Sequence, residues 1–265
     1  MTSTTAADGA ARHRPGPLAR AAIALAFWLG VWQLAATLIG QQILLVTPAA
    51  AFTRLAELSV TLDFWGTVAH SLARIGIGFV AALVVGVALA ALAAASSIVD
   101  MLITPLLAAI RSTPVVSFII LVLIWAGSGQ LAMVISFLMV LPVLYTNALE
   151  GIRRRDRALL EVAEVFRVPL RRRLPAVDVP AVMPFVMAGC TVGVGLAWKS
   201  GIAAEVIGLA QGSIGEQLYE AKIFLSSADL FAWTVVVVAL SFGFERAVLL
   251  LLARTEQRMA RGRTR

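Results

Sequence analysis

One cysteine and two histidines in 265 residues remove several classes of chemistry at the start. A lone Cys190 forms no intrachain disulfide, and His13 and His70 alone do not build a histidine-rich metal site. Charge is scarce too. Only 14% of residues are charged against 60% hydrophobic, well outside the range of soluble globular proteins. What charge exists is basic, 22 Lys and Arg against 15 Asp and Glu. That excess forms no surface stripe and accompanies no nucleic-acid-binding motif, so nucleic acid is not expected as a partner. It falls between long apolar runs, as loop charges do in a chain whose solvent is membrane lipid.

A hydrocarbon core of about 30 Å needs about 20 helical residues, and six segments supply them. They lie near 21–39, 75–95, 101–126, 131–149, 182–204 and 230–252, giving an all-α, polytopic protein with six transmembrane helices. The first follows Arg12, Arg14 and Arg20, is too long for a cleaved leader, and reads as a retained signal anchor. The third is interrupted by Arg111-Ser112-Thr113-Pro114. The chain thus divides into a tail over 1–20, a six-span domain over 21–252 and a basic tail over 253–265.

Positive charge is retained on the cytoplasmic side of a membrane. Six spans put both termini on one side, which then holds 16 of the 22 cations, including Arg153, Arg154, Arg155, Arg157, Arg167, Arg171, Arg172 and Arg173 in the 150–180 loop. The other side holds Arg54, Arg74 and Lys222, while Arg111, Lys199 and Arg246 fall within spans. Both termini are therefore expected in the cytoplasm of a multi-pass inner-membrane protein.

The 150–180 loop has its own order. Asp156 suits a helix start, and Leu159, Val162, Ala163 and Phe166 follow at i, i+3, i+4 and i+7, one apolar stripe. Pro169 is expected to end the helix. Such a helix either lies on membrane lipid or presses its stripe into a groove on a soluble partner.

The stretch Glu161-Val162-Ala163, with Val177-Asp178-Val179-Pro180 following and Pro180 nineteen positions after Glu161, resembles the EAA loop of binding-protein-dependent ABC importer permeases. Trp198-Lys199 and the run from Ala204 to Gly208 are similar to their sulfonate/nitrate/taurine-type branch. Val162 and Arg167 stand where the family carries alanine and glycine. The resemblance covers roughly 62–252. It implies a coupling loop made of Leu159, Glu161, Val162, Ala163, Phe166, Arg167 and Pro180, with a tight turn at Arg167, a position that arginine does not favour. It also implies two copies of an ATPase subunit that carries the ATP and Mg, a second permease copy as a homodimer, and a periplasmic or lipid-anchored solute-binding protein. Small anions are the default solutes, and related permeases take other organic solutes such as pyrimidine precursors. An ion-coupled secondary transporter is the alternative, and it needs no docking loop.

No enzyme is expected. The run from Gly193 to Ser200 approaches a phosphate-binding loop, but Trp198 replaces its second glycine and no strand precedes it, so ATP hydrolysis belongs to a partner. Charges inside spans are costly and mark paths or partners. At Arg111 a new helix start, capped by Thr113 with Pro114 first in the helix, would offer amides to an anion bordering the translocation path. The simpler reading is a proline kink with Arg111 on a headgroup or carbonyl. Lys199 and Glu205 lie about 120° apart on one helix and do not pair. Trp198 and Glu205 share a face, either a gate near the outer end of the path or an interfacial anchor with Glu205 outside the membrane. Glu245-Arg246 is assigned a structural role. Gly189 to Gly193 is a small-xxx-small stretch suited to a dimer interface, and 214–225 reads as a short outer helix that meets a binding protein or caps the bundle.

Overall fold

The computed structural model describes residues 16–261, all of them in helices and connecting turns. His13, Arg12, Arg14, Arg263 and Arg265 lie outside the described residues. Helix α1 (Pro17–Ile39) starts on a proline, which lacks only an N–H that a first turn does not use, and stops at Gly40, whose φ of 65° closes the last turn onto Ala36 O. It stands apart from the bundle, held by Trp32 Nε1 donating to Val46 O at 2.9 Å and by Trp32 against Phe231.

Helix α2 (Pro48–Ser59) is a short element missing from the six-segment reading. Its start signal is Thr47-Pro48, with Thr47 Oγ1 accepting from Ala50 N at 3.3 Å. Arg54 on it donates to Asp229 at 2.5 Å and so ties α2 to the last helix. Helix α3 (Leu62–Ala95) begins more than three turns before the expected 75. Its 34 residues reach about 51 Å, and they absorb Arg74 into the helix, not into a loop.

Helices α4 (Ser97–Ser112) and α5 (Val115–Ala126) meet at a 102° bend. Five single helices among the described residues are long and apolar enough to cross a membrane, and this broken pair taken as one span makes the sixth. Helix α6 (Leu131–Arg153) is followed by the loop elements α7 (Arg157–Val165) and α8 (Leu170–Arg173) and a π-helical turn (Leu174–Asp178). Then come α9 (Val179–Gly208), α10 (Ile214–Ile223) and α11 (Ser227–Arg261). Ser213 caps α10 by accepting from Glu216 N, while Glu216 accepts from Gly212 N, a reciprocal cap written in the sequence as Ser-x-x-Glu.

Helix α6 is the centre of the bundle, with α3 on one side and α9 on the other. Lipid removes the hydrophobic drive between helices, so close backbone approach must hold them, and small residues permit it. A Cβ on Gly78 would sit 2.3 Å from Met133 O, and one on Gly86 would sit 3.2 Å from Tyr145 N, which places α3 directly on the α6 backbone. The α9 glycines do the same. Gly189 lies against Asn147 and Leu144, Gly193 against Val140 and Phe79, and Gly201 against Ser136 and Ile75. The stretch from Gly189 to Gly193 therefore packs inside the subunit and is not a dimer seam. Cys190, buried between these glycines, belongs to the same interior.

Candidate functional site

The loop that joins α6 to α9 is built as its pattern requires at its start and differently at its end. Asp156 accepts from Ala158 N at 2.9 Å and caps α7. Of the apolar stripe, Leu159 is 51% exposed, Val162 53% and Phe166 75%, while Ala163 at 7% is turned inward. Glu161 is exposed beside them. The face is thus three large apolar side chains open on one side, none of them part of the bundle core. Val165, 78% exposed, widens it.

Pro169 is not what stops α7. Helix α7 ends at Val165, and Arg167 takes φ 48°, the left-handed conformation in which glycine closes a helix. Val168 N returns to Ala163 O at 2.8 Å and Arg167 N to Glu164 O at 2.9 Å. The tight turn is present, and Pro169 instead opens α8. Holding an L-residue there costs about 1 kcal/mol. Arg167→Gly should accordingly raise the melting temperature of the purified protein by about 2–4 °C. A melting temperature that stays put or falls would show the turn to be unstrained.

At the bend between α4 and α5, Arg111 Nη2 donates to Pro142 O and to Thr146 Oγ1, each at 2.8 Å. The simpler of the two readings of this arginine, a carbonyl contact, is what its Nη2 makes. Thr113 does not cap α5. Its hydroxyl donates back to Ala109 O at 2.8 Å, so Thr113 closes α4, and α5 starts after Pro114 without a side-chain cap. Beside Thr146 a cavity of about 360 Å³ is lined by Thr146, Asn147, Glu150 and Arg153. Next to it Asp100 on α4 accepts from Arg153 at 2.6 Å and from Tyr145 at 3.2 Å, bracing α4 to the end of α6.

Trp198 and Glu205 do share a face of α9, but that face is turned into the subunit. Trp198 is 2% exposed and packs edge-on against Phe244, and Glu205 is wholly buried. The Glu205 carboxylate has no exposed surface and is held inside the subunit. It accepts from Ser71 Oγ at 2.8 Å and from Gly215 N at 3.2 Å, and Ser71 Oγ in turn accepts from Ile214 N. The carboxylate thereby joins α3, α9 and the start of α10, and α10 is a cap on the bundle through this joint. Sequence reasoning had no signal for Ser71, whose partner stands 134 positions away. Lys199, next to Trp198, faces outward, away from Glu205. Glu245 and Arg246 form no ion pair among the described residues.

The profile of the family described as "Binding-protein-dependent transport system inner membrane component" matches residues 82–261, from the middle of α3 through α11. The chain belongs to this family. It is the membrane-spanning permease subunit of an ATP-binding-cassette importer, a transport protein and not an enzyme, whose family works with an ATPase and a solute-binding protein. Among its relatives is the taurine transport system permease protein TauC of Escherichia coli (strain K12), 25% identical over 87% of this chain and 86% of that one. SsuC of Bacillus subtilis (strain 168), named for aliphatic sulfonates transport, is 26% identical over 78% of this chain and 76% of its own. The bicarbonate transport system permease protein CmpB of Synechococcus elongatus (strain ATCC 33912 / PCC 7942 / FACHB-805) is 27% identical over 70% and 66%. A crystal structure of an amino acid ABC transporter with histidines shares the fold, with a TM-score of 0.56 at 19% identity over 77% of this permease and 97% of that chain. The matched region contains the α4–α5 bend, the α7 loop and the α9–α10 joint.

Proposed function

We propose that this permease carries a small anionic solute, of the sulfonate, taurine or bicarbonate kind for which its relatives are named, and that α7 couples it to two copies of a separate ATPase. In this reading two permease copies enclose the path as a homodimer. Both termini and the α7 loop face the cytoplasm of a bacterial inner membrane, and the solute arrives from a binding protein on the opposite side. Seven arginines between α6 and α9, with Arg153 at the end of α6, support that orientation.

The observation that carries the choice of solute is Arg111. Its Nη2 is spent on Pro142 O and Thr146, which fix the guanidinium at a break in a span, and Thr146 itself lines the cavity shared with Asn147, Leu149, Glu150 and Arg153. A pinned guanidinium offers a carboxylate, sulfonate or bicarbonate a charge-assisted contact without reorganising. Lys199, outward-facing on α9, and the α9 segment near Trp198 border the path in the same reading, whereas Glu205 supports it from within the subunit.

The reading is tested with proteoliposomes holding the permease, its ATPase and binding protein. ATP hydrolysis should rise with one of taurine, an alkanesulfonate or bicarbonate, and an absence of any copurifying ATPase would overturn the coupling. Arg111→Gln should cut uptake of that anion by about tenfold or more, since a hydrogen bond to a charged group contributes about 1.5–3 kcal/mol. Unchanged uptake and unchanged preference among the three anions would remove Arg111 from the path.

A further inference from the structure

Asp178 and Glu205 are the two buried carboxylates among the described residues, and 27 positions of helix, about 40 Å, separate them. Asp178, 5% exposed, lies at the loop end of α9 and has a partner on each oxygen. Arg155 Nη1 donates to Oδ1, and Arg173 Nε donates to Oδ2 at 3.1 Å. Arg155 also donates through Nε to Ile152 O at 2.8 Å, which fixes it to the last turn of α6. It stands two positions before α7 begins. One buried carboxylate therefore gathers the turn between α6 and α7, the end of α8 and the base of α9, and so grips the chain on both flanks of α7.

The π-helical turn makes this arrangement possible. Residues five apart in an α-helix are turned about 140° from one another. Arg173 and Asp178 are five apart, and the Leu174–Asp178 turn, closed by Val179 N onto Leu174 O, widens the helix so that both reach one point. Pro175 within that turn withholds an N–H that a regular helix would have used.

Helix α7 has little else to hold it. Ala163 is its one buried residue, and none of its side chains enters the bundle core. Helix α7 joins the spans through its flanks at 154–156 and 166–173, and without the ionic tie, which grips them at Arg155 and Arg173, neither flank would be braced to α9. A push on α7 would then be absorbed by those turns. A carboxylate held by two arginines out of water resists that give, because separating the charges leaves one of them buried and unpaired.

We propose that Asp178 is the positioning residue of the loop. By holding Arg155 and Arg173 together it makes α7 and the base of α9 one lever, so that a displacement of α7 arrives at the spans. This rests on α7 being the face that meets the ATPase. Helix rigidity is read from the distance between spin labels at Glu164→Cys and Thr191→Cys, both exposed positions, in the full chain carrying Cys190→Ala. The parent is expected to give one narrow distance. Asp178→Ala should at least double its width, and Asp178→Glu should keep it narrow. Equal widths in the parent and in Asp178→Ala overturn the proposal. If Asp178→Ala does not insert, Arg173→Gln is read in its place by the same criterion.

The second arm uses the complex with its ATPase, trapped with MgATP and vanadate. A lever keeps the Glu164–Thr191 distance unchanged on trapping in the parent, and the distance shifts only in Asp178→Ala, where α7 moves and α9 lags. A structural role alone would not produce that difference, and a parent distance that changes on trapping overturns the lever. Failure of the complex to form counts against the coupling function, and the first comparison still decides the lever.

Discussion

Gly78→Ala lowers the stability of the bundle by about 3 kcal/mol, the upper end of the usual cost of overpacking. The added Cβ would lie 2.3 Å from Met133 O and 3.1 Å from both Met133 C and Ser136 Cβ. Two of those atoms are backbone of α6, so no side chain can swing aside. Helix α3 must back away along its whole contact, loosening Gly86 from Tyr145 and Phe79 from Gly193. In detergent the melting temperature should fall by roughly 6–12 °C. Gly66→Ala and Gly195→Ala are the controls, because a Cβ at either meets nothing within 4 Å. Those two should match the parent or exceed it slightly, alanine being the better helix former by about 1 kcal/mol. A Gly78→Ala protein that melts with the parent would mean that α3 does not rest on the α6 backbone.

Val162→Asp combined with Phe166→Asp abolishes copurification of the ATPase while leaving the membrane bundle as stable as before. Both side chains are more than half exposed and touch neither core cluster, so folding loses nothing when they become charged. A docking groove loses both its apolar anchors and must desolvate two carboxylates. Anchors of this kind are each worth about 2 kcal/mol or more at an interface, so the pair should weaken association by roughly a thousandfold. The two measurements, pull-down of the ATPase and melting of the permease, must diverge. Retention of the ATPase by the double variant would assign the α7 face to lipid.

The features legible in the sequence are those that a short stretch decides by itself. Asp156 before an i, i+3, i+4, i+7 stripe is enough for α7, and Arg-Ser-Thr-Pro is enough to break a span. The features that were not legible depend on what covers a face. Periodicity shows that Trp198 and Glu205 lie together, but lipid and a neighbouring helix are equally apolar, so it does not show which of them the face meets. The glycines from Gly189 to Gly193 were assigned to a dimer seam for the same reason, when Asn147 and Val140 of α6 fill the space. Thr113-Pro114 matches a helix start, yet the Thr113 hydroxyl had the nearer Ala109 carbonyl available. Arg167 is the converse case. Its φ of 48° shows that the turn is set by the hydrogen bonds around it, and the same left-handed ending recurs at Leu209 and Leu225 after α9 and α10.

The Glu205 joint also carries information about the order in which the chain is made. Ser71 leaves the ribosome 134 residues ahead of Glu205, an interval on the order of 10 s at about 5–20 residues per second. Helix α3 is therefore seated in the bilayer, with the Ser71 hydroxyl waiting, before the carboxylate arrives. The Gly215 amide follows ten residues later, within about 2 s at the same rate. The Glu205 carboxylate thus takes its place after its first partner and almost together with its second. A circularly rearranged gene that placed α9 ahead of α3 would send Glu205 into lipid alone.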